Sequence, residues 1–438
     1  MERREFIRNT SLFGTGLVLT SYAGSNLAYG APSDKVRVAL VGTNSRGLHV
    51  GKIFAGMPNV DIAFVCDVDQ LVTDKTIAEI EKITGKKPKG EKDIRKVVAD
   101  KNVDAIMIAT PDHWHAPMAI MGCAAGKHVY VEKPASHNPN EGEMLVAAAA
   151  KHNRIVQLGN QRRSFPGVNQ MVNDVKSGII GNVYFAKAWY TNNRKPTILK
   201  PGTVPANLDW DLWQGPAPRR EFKDGYVHYN WHWFWHWGTG EALNNGTHEL
   251  DVARWAMGLE YPTKVVSAGG RYQWKDDWET PDTQTITFEF DKKASILWEG
   301  RSCNNFMYEG SGRGVYLYGD KGTIVYPGGD AYKVLDYDGK LIKEVKEGTV
   351  MDPTNTVSAT AGLDGLHVQN FLDAIRGTVK QTSPISEGHK STLLPQLGNI
   401  AFRTGQTLYC DPTNGKPKDA QAMKLWSREY EKGWEPKF

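Results

Sequence analysis

Val36 to Val41 is an apolar run broken only by Arg37; it stops at Gly42, and a helical stretch follows from Leu48. An apolar run without polar alternation is the pattern of a strand buried on both faces, here feeding a helix. The alternation repeats. Asp61 to Cys66, Ala105 to Ala109, His128 to Val131 and Ile155 to Leu158 read as strands, with Leu71 to Ile83, Pro117 to Ala125 and Asn140 to His152 as helices. Strands separated by helices of this length form parallel crossovers, so residues 35–159 are expected to be a doubly wound α/β domain of Rossmann type. The Lys- and Gly-rich stretch from Gly85 to Lys92 reads as a solvated loop inside it.

The texture changes after Arg163. Val183 to Tyr190, Lys264 to Tyr272, Thr283 to Phe290, Ala294 to Glu299, Val315 to Tyr318 and Thr323 to Val325 are short strands separated by turns such as Gly319-Asp320 and Gly328-Gly329. They predict an open, mainly antiparallel sheet. Helices are expected over Glu241 to Met257, Leu363 to Arg376 and Glu387 to Gln406, so residues 160–410 read as an α+β domain with its helices on one side of the sheet. Residues 411–438 form a polar tail carrying Trp426 and Trp434, with no role legible in the sequence.

Composition narrows the function classes. In 438 residues, 53 Lys and Arg face 49 Asp and Glu, a net charge of +4 too weak to imply a nucleic-acid partner. Cys66, Cys123, Cys303 and Cys410 have no metal-ligand spacing and are too sparse for a disulfide framework, so they read as free thiols. The 14 tryptophans stand out, because an indole can pack a core or stack on the flat face of a sugar. At the start of the chain, the run Glu2 to Arg8 with adjacent Arg3 and Arg4 precedes a short apolar stretch and Ala28-Tyr29-Gly30. Residues 1–30 therefore resemble a twin-arginine export signal, which predicts a periplasmic or otherwise exported protein, no membrane role beyond export, and a tightly held cofactor acquired before export.

Gly42-Thr43-Asn44-Ser45-Arg46-Gly47 follows the first strand and opens a helix. This is the dinucleotide pattern with Asn44 in place of the second glycine. The first glycine makes the tight turn, the last allows close helix packing, and the helix N-terminus presents N–H groups to a pyrophosphate. Asn44 is expected to reach the left-handed region that the turn uses. Asp67, at the end of the second strand, can accept from both ribose hydroxyls and repel a 2′-phosphate, which favours NAD over NADP. Arg46 could attract a phosphate or lie over adenine.

Thr110-Pro111-Asp112-His113-Trp114-His115 follows the third strand and Glu132-Lys133-Pro134 the fourth, at the strand ends where open α/β sheets bind ligands. With these residues the chain resembles the Gfo/Idh/MocA family of nicotinamide-dependent sugar and cyclitol oxidoreductases over nearly all of residues 35–410. The resemblance implies a Rossmann domain followed by an α+β domain whose open sheet mediates homodimer or homotetramer contacts. It implies that Lys133 lies beside the nicotinamide ribose and the reacting hydroxyl, and that Thr110, Pro111, His115 and Glu132 belong to the cofactor cleft. The family's D-x-x-x-H pair is matched by His248, which would exchange the hydroxyl proton, but Asn244 stands where an Asp is usual. An amide hydrogen-bonds a hydroxyl yet takes no proton, so His248 would work without a carboxylate beside it.

The segment Tyr229 to Trp237 is too aromatic for an ordinary loop. Period-2 spacing would make it a buried strand; its place before the helix of His248 makes it a candidate sugar wall, with Trp233, Trp235 and His236 as contacts. Gln161 and Arg162, at the domain junction, are further candidate substrate contacts. No histidine pair here has a convincing metal set, so no metal is expected. The leading expectation is an NAD-dependent sugar or glycoside oxidoreductase. An NAD-dependent glycosidase that oxidises, eliminates and re-reduces is the alternative, and a non-catalytic sugar-binding protein a third possibility that Lys133 together with His248 argues against.

Overall fold

Buried strands and the helices between them build the first sheet in a computed structural model that describes residues 35–291, 293–346 and 363–438. The export-signal expectation for residues 1–30 lies outside the described residues. The strands are β1 (Val36–Val41), β2 (Val60–Cys66), β3 (Lys89–Glu91), β4 (Ala105–Ile108), β5 (His128–Val131) and β6 (Val156–Leu158). They lie in the order β3-β2-β1-β4-β5-β6, all parallel. The switch in direction of strand order falls between β1 and β4, where a doubly wound sheet opens its ligand crevice. The stretch read as a solvated loop supplies β3. A Lys-Gly-Glu strand carries no apolar signal because it lies at the sheet edge and pairs on one side only.

Local chemistry fixes the helix ends. Asp69 caps Gln70–Thr84 by accepting from the N–H groups of Leu71 and Val72, and Gly85 closes that helix in the left-handed conformation, φ 68°. Asn138 caps Pro139–Lys151, whose proline stands in the first turn where a missing N–H costs nothing.

Among the described residues the second sheet has nine strands. They are β7 (Val183–Thr191), β10 (Lys264–Gly270), β11 (Thr283–Phe290), β12 (Ala294–Arg301), β13 (Arg313–Gly319), β14 (Gly322–Tyr326), β15 (Tyr332–Asp336), β16 (Leu341–Val345) and β17 (Leu408–Tyr409); a separate ribbon pairs β8 (Lys200–Pro201) with β9 (Lys223–Asp224). The order is β16-β15-β14-β13-β7-β12-β11-β10-β17, antiparallel except where β7 meets β12. In β11 the side chains of Gln284, Ile286, Phe288 and Phe290 are buried and alternate with less buried residues. The buried face packs on Leu250 and Ala253 of helix Gly246–Met257, on Leu393, Leu397 and Ile400 of helix Ile385–Thr404, and on Val168 and Met171 of helix Pro166–Lys176.

Two late segments return to the first sheet. Helix Asp364–Ile375 places Val368, Phe371 and Leu372 in the core beside Phe54 and Tyr130, with Phe371 edge-on to both rings. The C-terminal residues are a strap. Arg428 pairs with Glu141 at 2.7 Å and donates to the His113 carbonyl at 2.6 Å, Trp434 meets Trp114 edge-on, and the Arg95 guanidinium lies over Trp434. Both attachments join residues far apart in sequence, so neither is visible in local patterning.

Candidate active site

The loop after β1 is built by close approach. Gly42 has φ 72°, and a Cβ there would stand 2.6 to 2.8 Å from Thr110; a Cβ on Gly47 would stand 1.9 Å from the Gly42 carbonyl oxygen. Only glycine fits either place. The other left-handed residue is Ser45, φ 45°, and not Asn44, whose Oδ1 instead accepts from the Ser45 N–H at 3.0 Å. That corrects the expectation for Asn44. An amide side chain that bonds the next N–H stabilises the loop without a positive φ of its own.

Asn44, Ser45, Arg46, Asp67, Thr110, Pro111, His115, Glu132 and Lys133 line one cavity of about 500 Å³ that opens at the crevice between β1 and β4. Asp67 accepts from the N–H of Thr43 at 2.7 Å and of Asp69 at 3.1 Å. Burial pushes its carboxyl up, and those two N–H groups oppose the rise. Arg46 is braced rather than free to meet a phosphate: Nε reaches Glu132 at 2.9 Å and Nη1 reaches Asp364 at 2.6 Å. His115 holds two loops at once, with Nδ1 2.7 Å from the Pro134 carbonyl and Nε2 2.8 Å from the Thr110 carbonyl. The Thr110 hydroxyl, buried on this wall, has no hydrogen-bond partner. A glycine cradle that a Cβ would fill, an acidic residue at the end of β2 and an orphaned hydroxyl fit a dinucleotide.

The same cavity is lined by Asn244 and His248, which join Lys133 there. The helix expected over Glu241 to Met257 is two helices, Gly240–Asn244 and Gly246–Met257, with Asn245 between them. Its amide donates to Glu241 at 2.5 Å, and Gly246 passes so close to the Trp298 indole that a Cβ would lie 2.8 Å from it. Lys133 Nζ donates to the Asn244 carbonyl at 2.5 Å and to Asn244 Oδ1 at 3.1 Å. Burial lowers the pKa of Lys133, against the raising effect of Glu132 and Asp112. His248 is buried, and burial, reinforced by Arg162, Lys133 and Arg313, holds its pKa well below the usual imidazole value. Its Nδ1 is buried without a hydrogen-bond partner. The result is a neutral imidazole among cations, able to accept a proton.

Gln161 and Arg162 also line the cavity. Arg162 pairs with Glu249 at 3.3 Å, its Nε donates to the Gly328 carbonyl, and its Nη1 has no partner.

Trp233, Trp235 and His236 do not line it. Trp233 is fully buried and stacked on Trp278, ring centres 4.2 Å apart. Trp235 donates Nε1 to the Glu279 carbonyl, and His236 faces the Pro218 carbonyl at 2.7 Å; both border a separate cavity with Arg219, Arg220 and Arg428. Period-2 logic fails because the segment is no strand. Asn230–Trp233 is a 3-10 turn, and Phe234, Trp237 and Gly238 bond back to carbonyls three or four residues earlier. Side chains then fan out on all sides, so the cavity receives His228, Tyr229, Trp231 and His232 instead. Tyr190 and Asn192 at the end of β7, Arg194 beyond it, and Arg313 at the start of β13 complete the wall. They belong to no motif, and only the pairing of β7 with β13 brings them to one place.

The family described as oxidoreductase family, NAD-binding Rossmann fold, matches residues 36–160, and its C-terminal alpha/beta domain matches residues 202–408. Among curated proteins, a glycosyl hydrolase family 109 protein of Saccharopolyspora erythraea is 30% identical over 225 residues, 45% of this chain and 47% of its own length. A glycosyl hydrolase family 109 protein 1 of a Shewanella species is 26% identical over 210 residues, 43% and 46% of the two lengths. The aligned part spans about half the length of these relatives. Among solved structures, the WlbA dehydrogenase from Bordetella pertussis, in complex with NADH and UDP-GlcNAcA, has a TM-score of 0.62 at 18% identity, covering 86% of this chain and 99% of that one. An NAD binding oxidoreductase from Klebsiella pneumoniae has a TM-score of 0.64 at 16% identity, covering 86% and 99%. Together the two matched domains span most of the chain, which belongs to the Gfo/Idh/MocA family of NAD-binding oxidoreductases.

Proposed function

We propose that this protein moves a hydride between a hydroxyl-bearing carbon of a sugar or glycoside and a tightly held NAD. The observation that carries the reading is the convergence of Lys133 and the neutral His248 on the cavity that also holds the dinucleotide loop. The nicotinamide, when bound, supplies the hydride acceptor. The chain's own residues do the rest. His248 takes the hydroxyl proton, and Lys133, held by Asn244, places positive charge beside the oxygen as it becomes an alkoxide. Asp67 orients the adenosine ribose and disfavours a 2′-phosphate. A non-catalytic sugar-binding protein would have no use for this pair.

A second reading, in which the same redox step is followed by loss of an aglycone and re-reduction, is supported by the two relatives named as glycosyl hydrolases. One experiment separates the readings. Purified protein is incubated with a glycoside panel without added NAD, and keto-sugar is separated from freed aglycone. Keto-sugar alone supports the oxidoreductase, aglycone with unoxidised sugar supports the glycosidase, and neither product sinks both.

Two further parts of the reading concern place and assembly. Export through the twin-arginine route rests on Arg3 and Arg4, and Lys at both positions should strand the precursor in the cytoplasm. Homodimer or homotetramer formation rests on the outer face of the second sheet, where Tyr184 is exposed and Phe185 stacks on Tyr318. Sedimentation of a Tyr184→Glu, Tyr318→Glu variant tests it, and an unchanged oligomer would remove that face from the assembly. The segments 35–159 and 160–410 are the proposed cofactor and substrate domains.

A further inference from the structure

The proposed hydride transfer gives no task to His232, an imidazole on the cavity wall. His232 lies on the 3-10 turn, its ring stacked on Trp231 with centres 3.6 Å apart. Its Nδ1 is 2.6 Å from the Tyr229 carbonyl. A carbonyl only accepts, so Nδ1 carries the proton and Nε2 keeps its lone pair. The ring lines the same cavity as Lys133 and His248. Lys133 is a charged neighbour of both imidazoles; the other cations around His248 include Arg162 and Arg313, whereas His232 has Arg194. Of the four imidazoles that line the cavity, His115 has both ring nitrogens against carbonyls and His228 pairs with Asp69 at 3.1 Å, which leaves His248 and His232 for proton transfer, and hydride transfer alone needs one.

We propose that His232 Nε2 is the base that removes the proton from the carbon flanked by the ketone and the anomeric carbon of an oxidised glycoside, expelling the aglycone. The proposal rests on the glycosidase reading and gives it the residue it lacks. The C–H bond breaks and its proton goes to Nε2. The electron pair forms a double bond to the anomeric carbon, the anomeric C–O bond breaks, and the departing oxygen keeps that bond's pair and takes up the proton from the imidazolium. Addition of water across the double bond completes a hydrolysis with no change of oxidation state in these steps. Burial, Lys133 and Arg194 hold the His232 pKa well below the usual imidazole value against the opposing effect of the Tyr229 carbonyl, so the base form is present at neutral pH. Lys133 stands where an enolate oxygen would gain from a cation.

The test uses the full-length protein and a 4-nitrophenyl glucoside already carrying a ketone at C3, in D2O. Deuterium entry at C2 reports the proton abstraction, and nitrophenolate reports elimination. His232→Ala should slow both by roughly 10²–10⁴-fold, the range of a positioned acid/base, while direct NAD binding is unchanged and added imidazole restores exchange. His232→Phe keeps the stack on Trp231 and should behave alike except for rescue, which covers the case in which Ala disturbs the fold. Exchange at the wild-type rate in both variants overturns the assignment, and loss in His248→Ala alone moves the base there. Wild-type protein that oxidises glycosides yet neither exchanges nor releases aglycone from the ketone defeats the glycosidase reading itself, and the proposal with it.

Discussion

Lys133 reaches from the end of β5 to Asn244 in the second domain and donates to both its main-chain and side-chain oxygens, at 2.5 and 3.1 Å. Asn244, which matches the Asp position of the pair that the family resemblance implies, is therefore not idle. It accepts from the ammonium without adding charge, and its own amide donates to Glu241, which Arg194 already neutralises. Burial depresses the pKa of both Lys133 and His248, and a neutral acceptor at 244 adds no charge to oppose it.

Asn244→Asp tests that relationship. A carboxylate in the same place favours imidazolium and ammonium, so both pKa values should rise. In the proposed mechanism neutral His248 is the active form, so the rate should increase as pH rises through its pKa. The wild-type acid limb should therefore lie well below 6.5 and the variant's limb at higher pH. His248→Ala should lose the limb and roughly 10²–10⁴-fold of the chemical step. Single-turnover NAD reduction against pH reads all three; identical limbs in wild type and Asn244→Asp would show that His248 is not the titrating base.

Asp67 has a structural duty besides its proposed ribose contact, because it accepts from the Thr43 and Asp69 N–H groups. Asp67→Ala would orphan both at about 1–3 kcal/mol each and confuse the readout. Asp67→Asn removes the charge and keeps one of the two accepting oxygens, so a single N–H is orphaned, at about 1–3 kcal/mol, where Ala orphans both. It should bring NAD and NADP affinities closer together in direct binding. An unchanged preference would take Asp67 out of cofactor choice.

Truncations in the aromatic segment should separate core from surface. Trp233 is fully buried, stacked on Trp278 and covered by the Arg194 guanidinium, so Trp233→Ala should cost about 3–5 kcal/mol in urea unfolding. Trp235 loses one hydrogen bond and the Arg403 contact, about 1–2 kcal/mol in all. Neither change should affect sugar affinity in the folded protein by removing a stacking surface. A selective loss of sugar binding in folded Trp235→Ala would restore the sugar-wall reading.

What the chain displays locally was legible in it. Strands buried on both faces print apolar runs such as Val36–Val41, broken only by the exposed Arg37, and the glycines at 42 and 47 are required by contacts a few ångströms away, so most of the first sheet and the dinucleotide loop could be read directly. Lys133 and His248 were found through short motifs. Edge strands were harder: β3 and β16 are buried on no face and carry no periodic signal. The aromatic segment misled because its residue types suit a strand, while its backbone turns back on itself. Arg194, Arg313 and Tyr190 were invisible as a group, since strand pairing alone gathers them.

His367 ties the late helix to the first sheet and makes stability depend on acid. Its Nε2 faces the Leu158 carbonyl at 2.9 Å, its Nδ1 faces the Ser164 hydroxyl at 2.7 Å, and it is fully buried. A neutral ring donates from Nε2 to the carbonyl and accepts at Nδ1 from the hydroxyl. Burial lowers its pKa to about 4. The folded pKa lies below the unfolded value of about 6.5, so the unfolded chain binds the extra proton first as pH falls. Stability from this group is complete above about 6.5 and is lost toward about 4, at up to roughly 1.4 kcal/mol per pH unit. His389, also buried with its pKa lowered to about 4, adds in the same window. Urea unfolding at a series of pH values should show a smaller loss between pH 6.5 and 4.5 for His367→Gln than for wild type. Equal slopes would mean that His367 does not hold a neutral ring in the folded protein.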